Sequence, residues 1–219
     1  MPEFSGKVVS NNLISLRFPE GGKLISLSCH SGQIVKKGDP LAALDPKPIQ
    51  TQLEIELADF RRTRAEFDQL TRQLPVPKTE DEKTKKEIAQ SKLDVSVKSV
   101  EKIKGQLDGL NLYSPTDAVI VSAEGLIVGI NITPSGFPII LAPLTSAVFE
   151  TPVPEENFYQ LHPGQGARVT LKSGFASESE VTLLSPQSIG SNGFFNVHFR
   201  LPGMDLTNFR LGTSGKVSF

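Results

Sequence analysis

The feature that most constrains this chain is a change of hydrophobic period that happens twice. Up to Asp45 the sequence runs in short alternating stretches: Val8-Val9, Leu13-Ile14-Ser15-Leu16-Arg17-Phe18 and Leu24-Ile25-Ser26-Leu27. Gly21-Gly22, Gly32 and Gly38-Asp39-Pro40 punctuate them, so they read as strands and tight turns. From 46 to 111 the period becomes helical, and at Tyr113 strand-like sequence returns and continues to the end. One small β-module is thus split by the insert. Its first half holds Gly22–Leu27, Val35–Leu41 and Leu44-Asp45; its second holds Ser114–Val121, Gly136 and Ile139-Ile140-Leu141. A small sheet interrupted by a helical projection is a shape for reaching another molecule and a poor one for enclosing a substrate.

The insert itself is regular. Asp45 is a suitable helix cap, and Pro46 and Pro48 are tolerated at a helix start. Leu53, Phe60, Phe67 and Leu74 then recur every seven residues, with Leu57 and Leu70 in neighbouring rows. A seven-residue repeat marks a coiled-coil seam. Pro75 and Pro77 end this helix, because neither ring can continue it. Thr79-Glu80-Asp81-Glu82 has the form of a capped N-terminus with acids where the dipole favours them. The second helix carries Ala89, Leu93, Val97, Val100, Ile103, Leu107 and Leu110. The short turn makes the two antiparallel neighbours, in a hairpin roughly 40 Å long at 1.5 Å per residue. Their stripes are expected to pack against each other. Beyond the hairpin, Val148–Val153, Ala167–Leu171, Glu180–Leu184, Phe194–Arg200 and Lys216–Phe219 read as strands of a small barrel or sandwich.

Composition narrows the function classes. An apolar fraction of 38% over 219 residues suits several thin cores rather than one thick one. A net charge of −1 offers no surplus to neutralise phosphates, so no nucleic-acid partner is expected. No apolar run approaches the roughly 18 residues of a membrane span, and Met1-Pro2-Glu3-Phe4 does not open a signal peptide.

No catalytic constellation emerges. Cys29 is the only cysteine, and its neighbour His30 lies far in sequence from His162 and His198, so neither zinc nor Cys/His chemistry has its usual spacing. The acidic pairs Glu155-Glu156 and Glu80-Asp81-Glu82 fall at expected helix starts, where the dipole accounts for them. Lys83, Lys85 and Lys86 read as a solvated face, with Glu82/Lys86 and Lys83/Glu87 as i,i+4 pairs. Gly21-Gly22 and Gly190-Ser191-Asn192-Gly193 are turn glycines without the lysine and helix of a phosphate loop. No cofactor and no metal is expected.

Three stretches resemble the periplasmic adaptors, or membrane fusion proteins, of the HlyD/AcrA/MacA kind. Val35-Lys36-Lys37-Gly38-Asp39-Pro40-Leu41-Ala42-Ala43-Leu44-Asp45 is similar to the first lipoyl-like half of that family. Leu112-Tyr113-Ser114-Pro115-Thr116-Asp117-Ala118-Val119-Ile120 is similar to the return into it. Val153-Pro154-Glu155-Glu156-Asn157, then Leu161-His162-Pro163-Gly164-Gln165 and Val169-Thr170-Leu171, resembles the family's barrel entry, and Phe209–Val217 its closing strand.

The resemblance implies a mainly β fold with an α-helical hairpin. A β-barrel would be joined to a lipoyl-like (barrel-sandwich hybrid) domain, itself interrupted by an antiparallel coiled coil. The expected division is 1–20, first barrel strands; 21–45, first lipoyl-like half; 46–111, hairpin; 112–142, second lipoyl-like half; 143–219, barrel. The family's membrane-proximal domain and anchor have no counterpart in these residues. The implied role is non-enzymatic: a ring-forming subunit, periplasmic or extracytoplasmic, that bridges an inner-membrane transporter of the ABC, RND or MFS type and an outer-membrane channel, TolC-like for instance, or another envelope component in efflux or secretion.

Partner contact is expected at the tip, on Leu74, Pro75, Val76, Pro77 and Lys78. Arg64, Leu70 and Ser91 are of the residue types that adaptors docking onto TolC-like channels often carry at set spacing around the hairpin tip. Two other readings remain at this point. One is an ABC-transporter adaptor that meets no channel. The other is a biotinyl or lipoyl carrier, which would need Lys47 exposed on the turn between the two halves.

Overall fold

A computed structural model describes residues 2–134, 136–172, 176–189, 193–200, 206–207 and 209–219. The chain opens with β1 (Glu3–Ser10), β2 (Ile14–Leu16), β3 (Gly22–Leu27), β4 (Ile34–Val35) and β5 (Pro40–Leu44). Two long helices follow, α1 (Lys47–Gln73) and α2 (Glu80–Asp108), packed against one another. Next come β6 (Asn111–Tyr113), β7 (Ala118–Ser122), β8 (Asn131–Ile132) and β9 (Ile139–Pro143). The remainder is β10 (Ala147–Pro154), the one-turn α3 (Glu155–Phe158), β11 (Gly166–Leu171), β12 (Ala176–Ile189), β13 (Phe194–Arg200) and β14 (Ser214–Ser218). The architecture is mostly β with two long helices.

Six strands close a barrel in the order β1-β10-β13-β12-β11-β14. Alternation sets its inside. In β11, Ala167, Val169 and Leu171 are buried while Gly166, Arg168 and Thr170 face out. Val8, Phe149, Val153, Val197, Phe199 and Val217 complete a core without solvent exposure. Gly6 stands opposite Gly215 on the inner face, and bulk is excluded there for a reason. A Cβ on Gly6 would collide with Thr151 Oγ1 and the Glu150 carbonyl and come within 2.7 Å of the Phe149 ring.

Two four-stranded sheets, β2-β9-β7-β4 and β6-β5-β3-β8, share a second core. Leu24, Leu41, Leu44 and Ile132 meet Ala118, Ile120, Ile139 and Leu141 there. The two halves of this module interlock: β5 pairs with β6 and β4 with β7, both antiparallel. The turn before β5 is held by Asp39, whose carboxylate accepts from the Lys36 N–H at 2.8 Å. Gly38 takes a φ of 88°, which a side chain would disfavour.

The structure differs from the sequence expectations at three places. β2 pairs with β9, Ile14 opposite Leu141, rather than with a barrel strand, so the strands of the first twenty residues divide between two sheets. Leu110 lies beyond the end of α2 and is buried in the sheet core, not in the helix seam. The cap position of α1 is Pro46, not Asp45; the Asp45 carboxylate accepts from the Lys47 N–H at 3.1 Å from one residue further out. Of the expected turn at 190–193, residues 190–192 lie outside the described residues.

Candidate functional site

The projecting end of the helix pair is built from opposed stop and start signals. α1 runs out at Gln73, and the Leu74 N–H still donates to the Leu70 carbonyl at 2.8 Å. Pro75 and Pro77 then prevent continuation. α2 begins with a reciprocal cap: Glu82 N–H donates to Thr79 Oγ1 at 3.3 Å, and Thr79 N–H to Glu82 Oε2 at 3.3 Å. The same carboxylate oxygen accepts from Lys78 N–H at 2.6 Å, so one side chain ties two consecutive backbone N–H groups of the turn. Glu80 and Asp81 add negative charge to the first turn. Lys83 pairs with Glu80 at 2.6 Å. The expected Glu82/Lys86 and Lys83/Glu87 contacts therefore give way, since Glu82 is committed to the cap and Lys83 to Glu80.

The five residues singled out from the sequence do come together on this turn, with unequal exposure. Val76 is 71% exposed, and Pro75 and Lys78 are also exposed. Leu74 and Pro77 are half-buried, because Leu74 finishes the apolar stripe of α1 before the chain turns away. Val76 is the apolar group that the turn offers to solvent.

Along the helices, Leu53, Phe60 and Phe67 are half-buried, as are Leu93 and Val97. Two helices alone cannot enclose a stripe from both flanks. The buried residues of the two helices are Val100, a member of the expected stripe, and Thr63 and Ser96, which are not. Ser96 Oγ returns its hydrogen bond to the Leu93 carbonyl at 2.7 Å. Sequence reading missed one further surface. Ile88, 52% exposed, and Val95, 64% exposed, stand one heptad apart on α2 and line a lateral groove of about 830 Å³. Their seven-residue spacing was the available signal.

The other candidates sit apart from the tip. Cys29 is buried, and burial pushes its thiol above the ordinary range. Lys47 is exposed at the first position of α1, beside Pro46 and Pro48. Glu155 and Glu156 are exposed in α3, where Tyr159 Oη donates to Glu155 Oε1 at 3.4 Å. Among the described residues no group of three or more His, Cys, Asp or Glu is placed to hold a metal ion, and no helix is long and apolar enough to cross a membrane.

No family model matches the sequence. The multidrug resistance protein MdtA of Pectobacterium carotovorum subsp. carotovorum (strain PC1) is 36% identical over 106 residues, 47% of this chain and 24% of that protein. The MdtA of Yersinia pestis (strain Pestoides F) is 33% identical over 69 residues, 32% of this chain and 16% of its own length. These matches span a quarter or less of the curated relatives. Among solved structures, the membrane fusion protein Spr0693 of Streptococcus pneumoniae R6 superimposes with a TM-score of 0.78 at 15% identity, covering 100% of this chain and 98% of that one. A MacA–MexA chimera carrying the Pseudomonas aeruginosa MexA α-hairpin domain gives 0.79 at 20% identity, covering 99% and 79%. The periplasmic adaptor protein EmrA gives 0.56 at 17% identity, covering 98% and 97%.

Proposed function

We infer, on the premise that sequence relatives and structural neighbours together indicate the periplasmic adaptor, or membrane fusion protein, family, that this chain is an adaptor subunit of an efflux or secretion assembly. In this reading residues 21–45 and 112–142 form a lipoyl-like (barrel-sandwich hybrid) domain. Residues 46–111 form an antiparallel coiled-coil hairpin, and 143–219 with the N-terminal strand form the barrel. The barrel faces an inner-membrane transporter of the ABC, RND or MFS type. The hairpin points outward to a channel or another envelope component. Copies of the chain assemble in a ring on the periplasmic or extracytoplasmic side, so many weak contacts add up to firm docking.

The observation that carries this reading is the pair of helices, 27 and 29 residues long, ending in a turn that exposes Val76. An apolar side chain held out at the end of a long arm is of use chiefly against another protein.

The test is capture of envelope proteins from the source organism by the 219-residue chain, wild type against Val76→Asp, with bound proteins identified by mass. Val76 is preferable to Leu74, whose backbone closes α1. An outer-membrane channel captured by the wild type and lost by the variant supports the bridging role. Capture of a transporter alone, indifferent to the tip, moves the reading to an adaptor that meets no channel. A biotinyl or lipoyl mass increment on Lys47 in the cell-derived protein would replace the adaptor by a carrier domain.

A further inference from the structure

A cleft of about 590 Å³ opens where the sheet β2-β9-β7-β4 meets the segment leading into β14. An apolar strip runs along it, Ile34, Val119 and Val121 from one side and Phe209 and Leu211 from the other, with Ser31 and Thr207 as polar neighbours. Four of these also pack against the barrel core, whereas Ile34 is left 47% exposed. Its rim carries one fixed positive charge, Arg210. His30 lines it as well, and among the described residues no carboxylate does. Among the described residues no acidic side chain lies within ion-pairing distance of the Arg210 guanidinium. The volume falls in the range of about 300–1,000 Å³ typical of small-molecule sites, which favour junctions between structural units.

We propose that this cleft binds an amphipathic monoanion, a carboxylate on an aliphatic chain, with its headgroup on Arg210 and its tail along Val119, Val121, Phe209 and Leu211. The charge pattern selects the sign of the headgroup: a guanidinium with no carboxylate beside it among the described residues, next to an apolar strip, is matched by an anion with an apolar tail, and Ser31 and Thr207 offer hydroxyls at the same cleft. A ligand seated there touches both the sheet module and the barrel, and so restrains one against the other. The proposal needs only the isolated chain and stands apart from the adaptor role.

The probe is sodium dodecanoate, kept below its micelle threshold and titrated calorimetrically into the full 219-residue chain. Dodecyltrimethylammonium, with the same tail and opposite charge, serves as the comparison. Saturable one-to-one binding of dodecanoate is expected, weakened about tenfold by Arg210→Gln and lost in Ile34→Glu, which places a negative charge on an already exposed position. Dodecyltrimethylammonium should show no saturable heat. Ile88→Glu, on the distant helix face, should bind as the wild type does. The proposal is overturned by any of four results: no saturable binding, equal affinity of wild type and Arg210→Gln, equal binding of the cation, or an equal loss in Ile88→Glu. The last would mean adsorption on exposed apolar surface only. Retained melting transitions in the variants separate loss of binding from loss of fold.

Discussion

The Leu44 N–H donates to the Leu110 carbonyl at 2.9 Å, although both long helices lie between these residues in sequence. Ala43 faces Asn111 one step further along the same ladder. The helices therefore leave the sheet and return to it on adjacent strands, and the junction is sealed whatever happens at the far end.

Excision of the helices should leave the β-structure standing. Replacing residues 47–108 with a short Gly/Asn turn keeps Leu44, Leu110 and the β5–β6 pairing. Circular dichroism should lose the helical signal and keep a cooperative thermal transition. A non-cooperative melt would show that the sheets depend on the helices.

Glycine substitutions should separate packed from open positions. Gly6→Ala places a methyl group against Thr151, Glu150 and Phe149, and overpacking of this kind costs about 1–3 kcal/mol. Gly105→Ala, inside α2 with nothing within 4 Å of the new group, should stabilise by roughly 0.5–1 kcal/mol. Urea midpoints of the two variants, moving in opposite directions, check both.

Removing the cap of α2 should loosen the tip alone. Thr79→Ala deletes the oxygen that accepts from Glu82 N–H, and loss of such a cap costs about 1 kcal/mol. Amide exchange should quicken at residues 82–84 and stay unchanged in β5 and β7.

Cys29 should react slowly. Its thiol is raised by burial, so the thiolate that attacks an alkylating reagent is scarce at neutral pH. The accompanying stability is complete below the ordinary thiol value of about 8.5. It declines as pH rises through that value towards the raised folded one, because only the unfolded chain ionises in between. Iodoacetamide labelling should accelerate sharply on denaturation, and thermal midpoints should fall above pH 9. Rapid labelling of the native chain at pH 7 would contradict the burial.

What the sequence makes legible is what short-range chemistry decides. The seven-residue spacing of Leu53, Phe60 and Phe67, the breaks at Pro75 and Pro77 and the Thr79–Glu82 cap all act within a few residues, and the helices begin and end beside them. Long-range placement is not written locally. Nothing in Ile14-Ser15-Leu16 distinguishes pairing with β9 from pairing inside the barrel, since alternation fits either. Leu110 continues the spacing of α2 and yet belongs to the sheet core, because Gly109 has already ended the helix. Thr63 and Ser96 are polar and would be assigned outward; only the close approach of two helices encloses them. The turn at 74–78 is legible as a turn, whereas the difference between exposed Val76 and half-buried Leu74 depends on where α1 stops.

The barrel is closed by the pairing of β1 with β14, Lys7 opposite Ser214. During synthesis, β1 has to wait for β14 before its second neighbour exists, while the sheets and helices of residues 14–143 have all their partners much earlier. Closing so long a loop is entropically slow and leaves strand edges unpaired meanwhile. The barrel is thus completed only after the sheet module and its helices, and until β14 emerges its open edges need shelter from neighbouring nascent chains.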